Sequence, residues 1–210
     1  MSSRRAGEAT ALAVDAAVEA IRAGRLAIVP TDTVYGLATS PYREAATTRL
    51  YRAKRRDAAQ PTALVAADMT LLLECVPELR GRAAQIARAL LPGPYTLVLP
   101  NPARRYPWLT GTTPDAIGVR VPDVTGVARD LLERVGAYVA SSANARGGPD
   151  PVTLDDVPPE IRAAADAEVD AGPLGGTPST VLDFTGPEPR VVREGAAPSA
   201  EALRLAARVL

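Results

Sequence analysis

The 210-residue sequence has no histidine, one cysteine, one tryptophan and one phenylalanine, and among its 24 basic residues only Lys54 is lysine. Without histidine there is no imidazole base, no Ser-His-Asp triad and no His-ligated metal. A single thiol allows neither an intrachain disulfide nor a Cys-rich zinc cluster, which fits a reducing cytoplasm. That thiol, Cys75, sits in the apolar stretch Leu71–Val76 and reads as a buried structural group rather than a nucleophile. No apolar run approaches the roughly 18–20 residues that cross a bilayer. Glu8, Asp15 and Glu19 interrupt the first apolar positions, so no secretory leader and no membrane association are expected. The 24 basic residues balance 24 acidic ones. That balance argues against nucleic-acid binding through bulk positive charge, while leaving room for a local basic patch.

What is present suits one domain, expected to run over residues 1–210, with 47% hydrophobic residues available for a core. The spacing of Val14, Val18 and Ile21 predicts a helix over 10–23, closed by Gly24. Short strands are expected at 26–29, 62–66, 95–99, 117–121, 137–141, 167–170, 179–183 and 190–193. Helices are expected at 44–55, from Pro77-Glu78 to about 91, at 124–135, at 155–165, and from Ser199 to about 209. Thr31 to Ser40 reads as a polar loop. Alternating strands and helices with a strand-rich end make this an α/β fold, an open mixed sheet with helices on both faces.

In such sheets ligands collect where strands end. Pro30-Thr31-Asp32-Thr33 offers hydroxyls and a carboxylate, and also suits an ordinary Ser/Thr turn. The helix beginning at Glu44 ends in Arg49, Arg52, Lys54, Arg55 and Arg56. Cations there complement the helix dipole. Yet five in eight residues exceed that need, and Lys54 with Arg56 could address one polyanion, phosphate first and RNA backbone second. Arg120, inside a strand, fits either solvent or a cleft. Ser142 and Asn144 beside Gly147-Gly148 suit a nucleotide contact or a tight turn. No Walker A, dinucleotide or kinase signature occurs. The convergence of hydroxyls, amides and guanidiniums without a general base suits phosphate chemistry driven by positioning and charge.

Pro30–Leu37, Lys54-Arg55-Arg56, Leu91–Thr96, Gly118–Pro122, Ser142-Ala143-Asn144, Pro178–Val181 and Arg193-Glu194-Gly195 together resemble the YrdC/Sua5 family, the threonylcarbamoyl-AMP synthases, in its short bacterial form. The resemblance covers about residues 10–196. It implies a YrdC-like twisted open sheet with a basic cavity. The reaction it implies joins L-threonine, bicarbonate and ATP, brought with Mg²⁺, into threonylcarbamoyl-AMP and pyrophosphate. The product would serve t6A modification at position 37 of tRNAs reading ANN codons, with tRNA and the proteins of a transfer complex as partners. Lys54 and Arg56 would be catalytic and hold ATP, together with Gln60, Ser142, Asn144 and Arg193. Thr33, Arg120 and Ser179 would hold threonine, and no protein-held metal is implied. The sequence departs from the family at Gln60, where Lys or Asn is common, at Val65, where some members have histidine, and at Ala116, where a hydroxyl is usual. An RNA-binding module and a carbamoyl-adenylate enzyme with another acceptor are the alternative readings.

Overall fold

A computed structural model describes residues 2–57 and 59–209, with side chains from residue 7 onward. Ala58, in the Asp57–Gln60 departure, and the two chain ends lie outside the described residues.

Helix α1 (Ser2–Arg22) buries Val14, Ala17, Val18 and Ile21, one stripe at i, i+3, i+4 and i+7. It ends in a Schellman motif. Gly24 has φ +75°, its N–H donates to the Ile21 carbonyl at 2.9 Å, and Arg25 N–H donates to the Ala20 carbonyl at 2.8 Å. Strands β1 (Ala27–Val29) and β2 (Gly36–Thr39) follow, then helix α2 (Glu44–Ala53) and strand β3 (Ala63–Ala66). Helices α3 (Met69–Cys75) and α4 (Gly81–Leu90) precede strands β4 (Tyr95–Pro100) and β5 (Ala116–Arg120). The chain continues through α5 (Gly126–Val135), β6 (Ala137–Ser142), α6 (Pro159–Ala164), β7 (Ala167–Glu168), β8 (Thr180–Asp183), β9 (Arg190–Arg193) and α7 (Ser199–Ala207).

Three expectations need correction. The Thr31–Ser40 loop contains β2, a fully buried strand pairing with β1 and β6. The helix expected from Pro77 begins only at Gly81, as α4, and a helix that the pattern did not announce, α3, precedes Pro77. Asp68 caps α3 by accepting from Leu71 N–H at 2.8 Å, Pro77 follows its end, and Leu79 N–H closes a turn on the Val76 carbonyl before α4. The helix expected at 155–165 is interrupted by Pro158-Pro159. A 3-10 turn with a Thr153/Asp156 capping box precedes the prolines; Pro158 is then the N-cap of α6 and Pro159 its first residue.

The strands form one mixed, open sheet in the order β7-β1-β2-β6-β3-β5-β4-β8-β9. The pairs β1/β7, β3/β5 and β4/β8 are parallel and the rest antiparallel. Because side chains alternate between faces, register assigns each residue to a side. Leu64, Val139, Val119, Leu97 and Leu182 share one face and pack under α3, α4 and α7. Ile28 and Leu37 continue that face under α2 and α6. On the opposite face α1 and α5 cover Ala27, Val29, Ala38, Val65 and Tyr138. Beyond them, over β3, β5, β4 and β8, that face carries alanine, glycine, valine and polar residues and stays uncovered by helix among the described residues. Cys75 is buried against the first face, as its apolar surroundings suggested. Among the described residues no helix is long and apolar enough to cross a membrane.

Leu97 and Val98 test this division. Leu97→Ala, in the closed core, should cost about 2–5 kcal/mol in urea unfolding. Val98→Ala, facing the open side, should cost well under half as much. Equal losses would contradict the two-face assignment.

Candidate functional site

The uncovered part of the sheet is the floor of a cavity of about 590 Å³, within the roughly 300–1,000 Å³ of small-molecule sites. Ala63, Ala116, Gly118 and Ala140 line it and leave its volume open. The segment Ile117-Gly118-Val119-Arg120 shows how. Ile117 and Val119 point into the core, so Gly118 and Arg120 point into the cavity. Arg120 therefore lies in a cleft rather than in solvent. Among the sequence-predicted site residues, Thr33, Arg56, Gln60, Arg120, Ser142, Ser179 and Arg193 line this one cavity. Lys54 and Asn144 are not in its wall but are hydrogen-bonded directly behind Ser142.

Strand β6 runs past its neighbour. Its last pairing with β3 is Ala140↔Ala63, so Ser141 and Ser142 have no β3 partner. The end of α2 fills that gap. Lys54 is its C-cap residue, and Arg55 takes φ +49°, in the left-handed region uncommon for a side-chain-bearing residue. This turn aims Lys54 and Arg56 at the end of β6 while Arg55 stays exposed. The Lys54 ammonium donates to the Ser142 carbonyl and, at 2.8 Å, to Asn144 Oδ1. Asn144 also accepts from the Ser142 hydroxyl at 2.8 Å and donates to the Gly148 carbonyl at 2.8 Å, tying the following loop to the site. Arg56 donates to Ser141 Oγ at 3.0 Å and to the Pro61 carbonyl at 2.5 Å, and lies 5.7 Å from the Tyr51 ring centroid.

Among the described residues neither cation touches a carboxylate. Burial, reinforced by Arg56, pushes the Lys54 ammonium down to about 8, and Asp150 pulls weakly the other way. Burial also lowers Arg56. Across the cavity, Arg193 at the rim donates to the Ser179 carbonyl at 2.8 Å and likewise has no carboxylate in contact. Burial again leads its downward shift, with Asp150 opposing and Arg120 reinforcing. Ser179 Oγ is 2.8 Å from Thr96 Oγ1.

Arg120 differs. It donates to Asp32 Oδ1 and, at 3.1 Å, to the Thr33 hydroxyl. Thr31 Oγ1 accepts from Thr33 N–H at 3.1 Å and Val34 N–H at 3.2 Å, so the local Ser/Thr turn is also what presents Thr33. Asp32 is itself raised, because burial outweighs Arg120. Asp32 Oδ2, Arg120 Nε and Arg56 Nε are buried without a hydrogen-bond partner. Buried polar groups are seldom left so, and three of them converge here. Sequence reasoning singled out the Thr31–Thr33 segment but not Asp32 as the partner of Arg120, nor Thr96 as that of Ser179. It missed Tyr138 altogether. These are neighbours that the fold brings together from positions far apart in the chain.

A family model described as "Telomere recombination", covering the Sua5, YciO and YrdC proteins, matches residues 19–195. The chain belongs to this Sua5/YciO/YrdC family. A family relative from Chromohalobacter salexigens, named threonylcarbamoyl-AMP synthase, is 39% identical over 176 residues, covering 80% of this chain and 90% of its own. The crystal structure of P. abyssi Sua5 complexed with L-threonine superposes with a TM-score of 0.82 at 32% identity, over 91% of this chain. This chain spans only 56% of that longer protein. The E. coli YciO crystal structure gives a TM-score of 0.76 at 27% identity, covering 90% and 91% of the two chains. The residues matched by the family model include all nine strands of the sheet that carries the cavity.

Gly195 is a family-motif position with a steric reason. A Cβ there would lie 2.2 Å from the Pro178 carbonyl oxygen and 2.5 Å from Ser179 C. Gly195→Ala should push the Pro178-Ser179 turn aside and lower stability by about 1–3 kcal/mol. It should also weaken whatever ligand Ser179 and Arg193 hold. Thermal melting and ligand titration on the same preparation check both.

Proposed function

We propose that this chain is a threonylcarbamoyl-AMP synthase, a nucleotidyltransferase acting in the cytoplasm on L-threonine, bicarbonate and ATP. The observation that carries the reading is one cavity lined by Arg56, Arg193 and the Asp32-paired Arg120, with Lys54 held directly behind its Ser142 wall; among the described residues Lys54, Arg56 and Arg193 touch no carboxylate. The names of the relatives and the threonine in P. abyssi Sua5 support the same assignment.

The chemistry needs such a site. The threonine amine adds to the carbon of bicarbonate with loss of water, giving a carbamate. A carbamate oxygen then attacks the α-phosphorus of ATP, and the bond to the bridging oxygen breaks with pyrophosphate leaving. Both partners in the second step are anions. Two unit charges 4 Å apart at an effective dielectric near 20 repel by about 4 kcal/mol, close to a thousandfold in rate. Fixed cations offset that repulsion without reorganising. Lys54 and Arg56 would hold the phosphates and stabilise the departing pyrophosphate. Gln60, Ser142, Asn144 and Arg193 would contact the rest of the nucleotide. Arg120 would take the threonine carboxylate, with Thr33 and Ser179 on the amino acid. Mg²⁺ would arrive on the ATP phosphates, since no group of three or more Cys, Asp or Glu placed to hold a metal occurs among the described residues. The carbamate is already ionised, so no histidine base is required. The product would feed t6A formation on tRNA, transferred by partner proteins.

Pyrophosphate release should require threonine and bicarbonate together, with the adenylate seen by mass spectrometry. Release indifferent to threonine refutes the assignment. Lys54→Ala should lower kcat/KM at least about 100-fold. Its melting temperature should hold or rise, because the fold keeps that charge against the cost of burial.

The same lysine sets a pH dependence. Below about 8 the Lys54 ammonium is charged, and above it the proton is lost. ATP affinity of the free protein should therefore fall as pH rises through that value, and the step should vanish in Lys54→Ala. Calorimetric titration from pH 6.5 to 9.5 reads both curves.

A further inference from the structure

Tyr138 is 2% exposed, yet it lines the cavity. Its ring packs in the apolar cluster made by α1 and α5. Its hydroxyl makes no hydrogen bond to any described residue. It is also absent from the sealed, unpartnered buried atoms, so it opens onto the cavity rather than into the core. A phenol whose ring is buried ordinarily finds a partner for its hydroxyl. The sheet register says where that partner would sit. Tyr138 pairs with Val65, and Val65 pairs with Arg120, so the three stand on one rung of neighbouring strands with their side chains on the same face. Tyr138 and Arg120 are two strand spacings apart, roughly 10 Å at the backbone, with only a valine between them. The charges of Arg120 and Asp32 both act on the phenol, in opposite directions.

We infer that Tyr138 is a substrate-positioning residue of the amino-acid subsite, its hydroxyl donating to the same carboxylate that Arg120 binds. The inference rests on the proposed function. It adds a neutral donor, held rigidly by the core, to a site otherwise made of charged groups and small hydroxyls. Such a donor would favour an α-amino acid with an ionised carboxylate over its amide.

Tyr138→Phe removes the hydroxyl and keeps the buried ring. Losing a hydrogen bond to a charged group should raise the threonine KM and calorimetric Kd about 10- to 100-fold. The ATP KM and the kcat at saturating threonine should change by less than about threefold, a split that general loosening of the fold would not give. Binding of threoninamide, which lacks the carboxylate, should be equally weak in both proteins. Wild type that binds threonine while Tyr138→Phe binds it equally well overturns the assignment. So does a variant penalty that persists undiminished with threoninamide. Wild type that binds no threonine removes the proposed function and this inference together. A measurement without any variant is the near-ultraviolet difference spectrum of wild type on threonine addition. Absence of a tyrosine band there also overturns the assignment.

Discussion

An ammonium buried among carbonyl and amide oxygens, without a counter-ion in contact, is the constraint on which the rest of this structure turns. Lys54 is 7% exposed and its partners are the Ser142 carbonyl and Asn144 Oδ1, both neutral. Burial without a charge partner is costly, and proteins ordinarily avoid it. Here the fold is arranged so that the cost cannot be relieved from within. The end of β6 overhangs β3, the C-cap of α2 fits the overhang, and Asn144 locks the next loop onto it. Arg56 stands on the neighbouring residue of β6 under the same condition. An anion supplied from outside is what completes this electrostatic arrangement.

The sheet supplies the room for that anion by an asymmetry between its faces. Five helices close one face along its length. Only α1 and α5 close the other, and they stop near β6 and β3. Past them the strands carry Ala63, Gly118, Ala116 and Ala140 where a closed core would carry leucine. The same strands therefore do two things by alternation. Odd positions of β5 hold the molecule together, and even positions leave a space and put a guanidinium in it. A cavity lined by a continuous sheet keeps its charged groups at fixed separations, which stabilisation of developing charge demands.

Much of this was legible in the chain, for local reasons. Gly24 behind an apolar stripe ends α1 as read, because the Schellman motif is decided within six residues. The Lys54–Arg56 pair stood out because α2 had more terminal cations than its dipole requires. Other elements were illegible for equally physical reasons. β2 lies behind the polar Pro30–Tyr35 turn and is only four residues long, so its apolar content could not outweigh the turn signals before it. α3 was hidden because an apolar heptad that buries only Leu72 and Cys75 has too short a stripe to show a period. For the site, residue types were readable but partners were not. Arg120 meets Asp32 across 88 positions of sequence, and Ser179 meets Thr96 across 83. The fold alone brings them together: the β4/β8 pairing sets Thr96 beside Ser179, and the turn ahead of β2 carries Asp32 to the end of β5. Tyr138 was invisible for the same reason, being one aromatic in a strand whose outward face the sequence does not label.

The charge pattern within the cavity divides it along the lines of the proposed reaction. At one side Arg120 is paired with Asp32, so that pair is neutral as a unit while still offering directional donors. At the other, Lys54 and Arg56 remain uncompensated, as does Arg193 at the rim beside Ser179. A threonine zwitterion carries both signs and no net charge, and matches the first. A nucleoside triphosphate carries several negative charges and matches the second. Were Lys54 or Arg56 paired internally, the phosphates would have to displace a carboxylate to bind. Under the proposed reaction, Asp32 would act on substrate choice through the charge it removes from one part of the cavity, and the absence of a carboxylate contact at Lys54 and Arg56 would act through the charge it leaves at another.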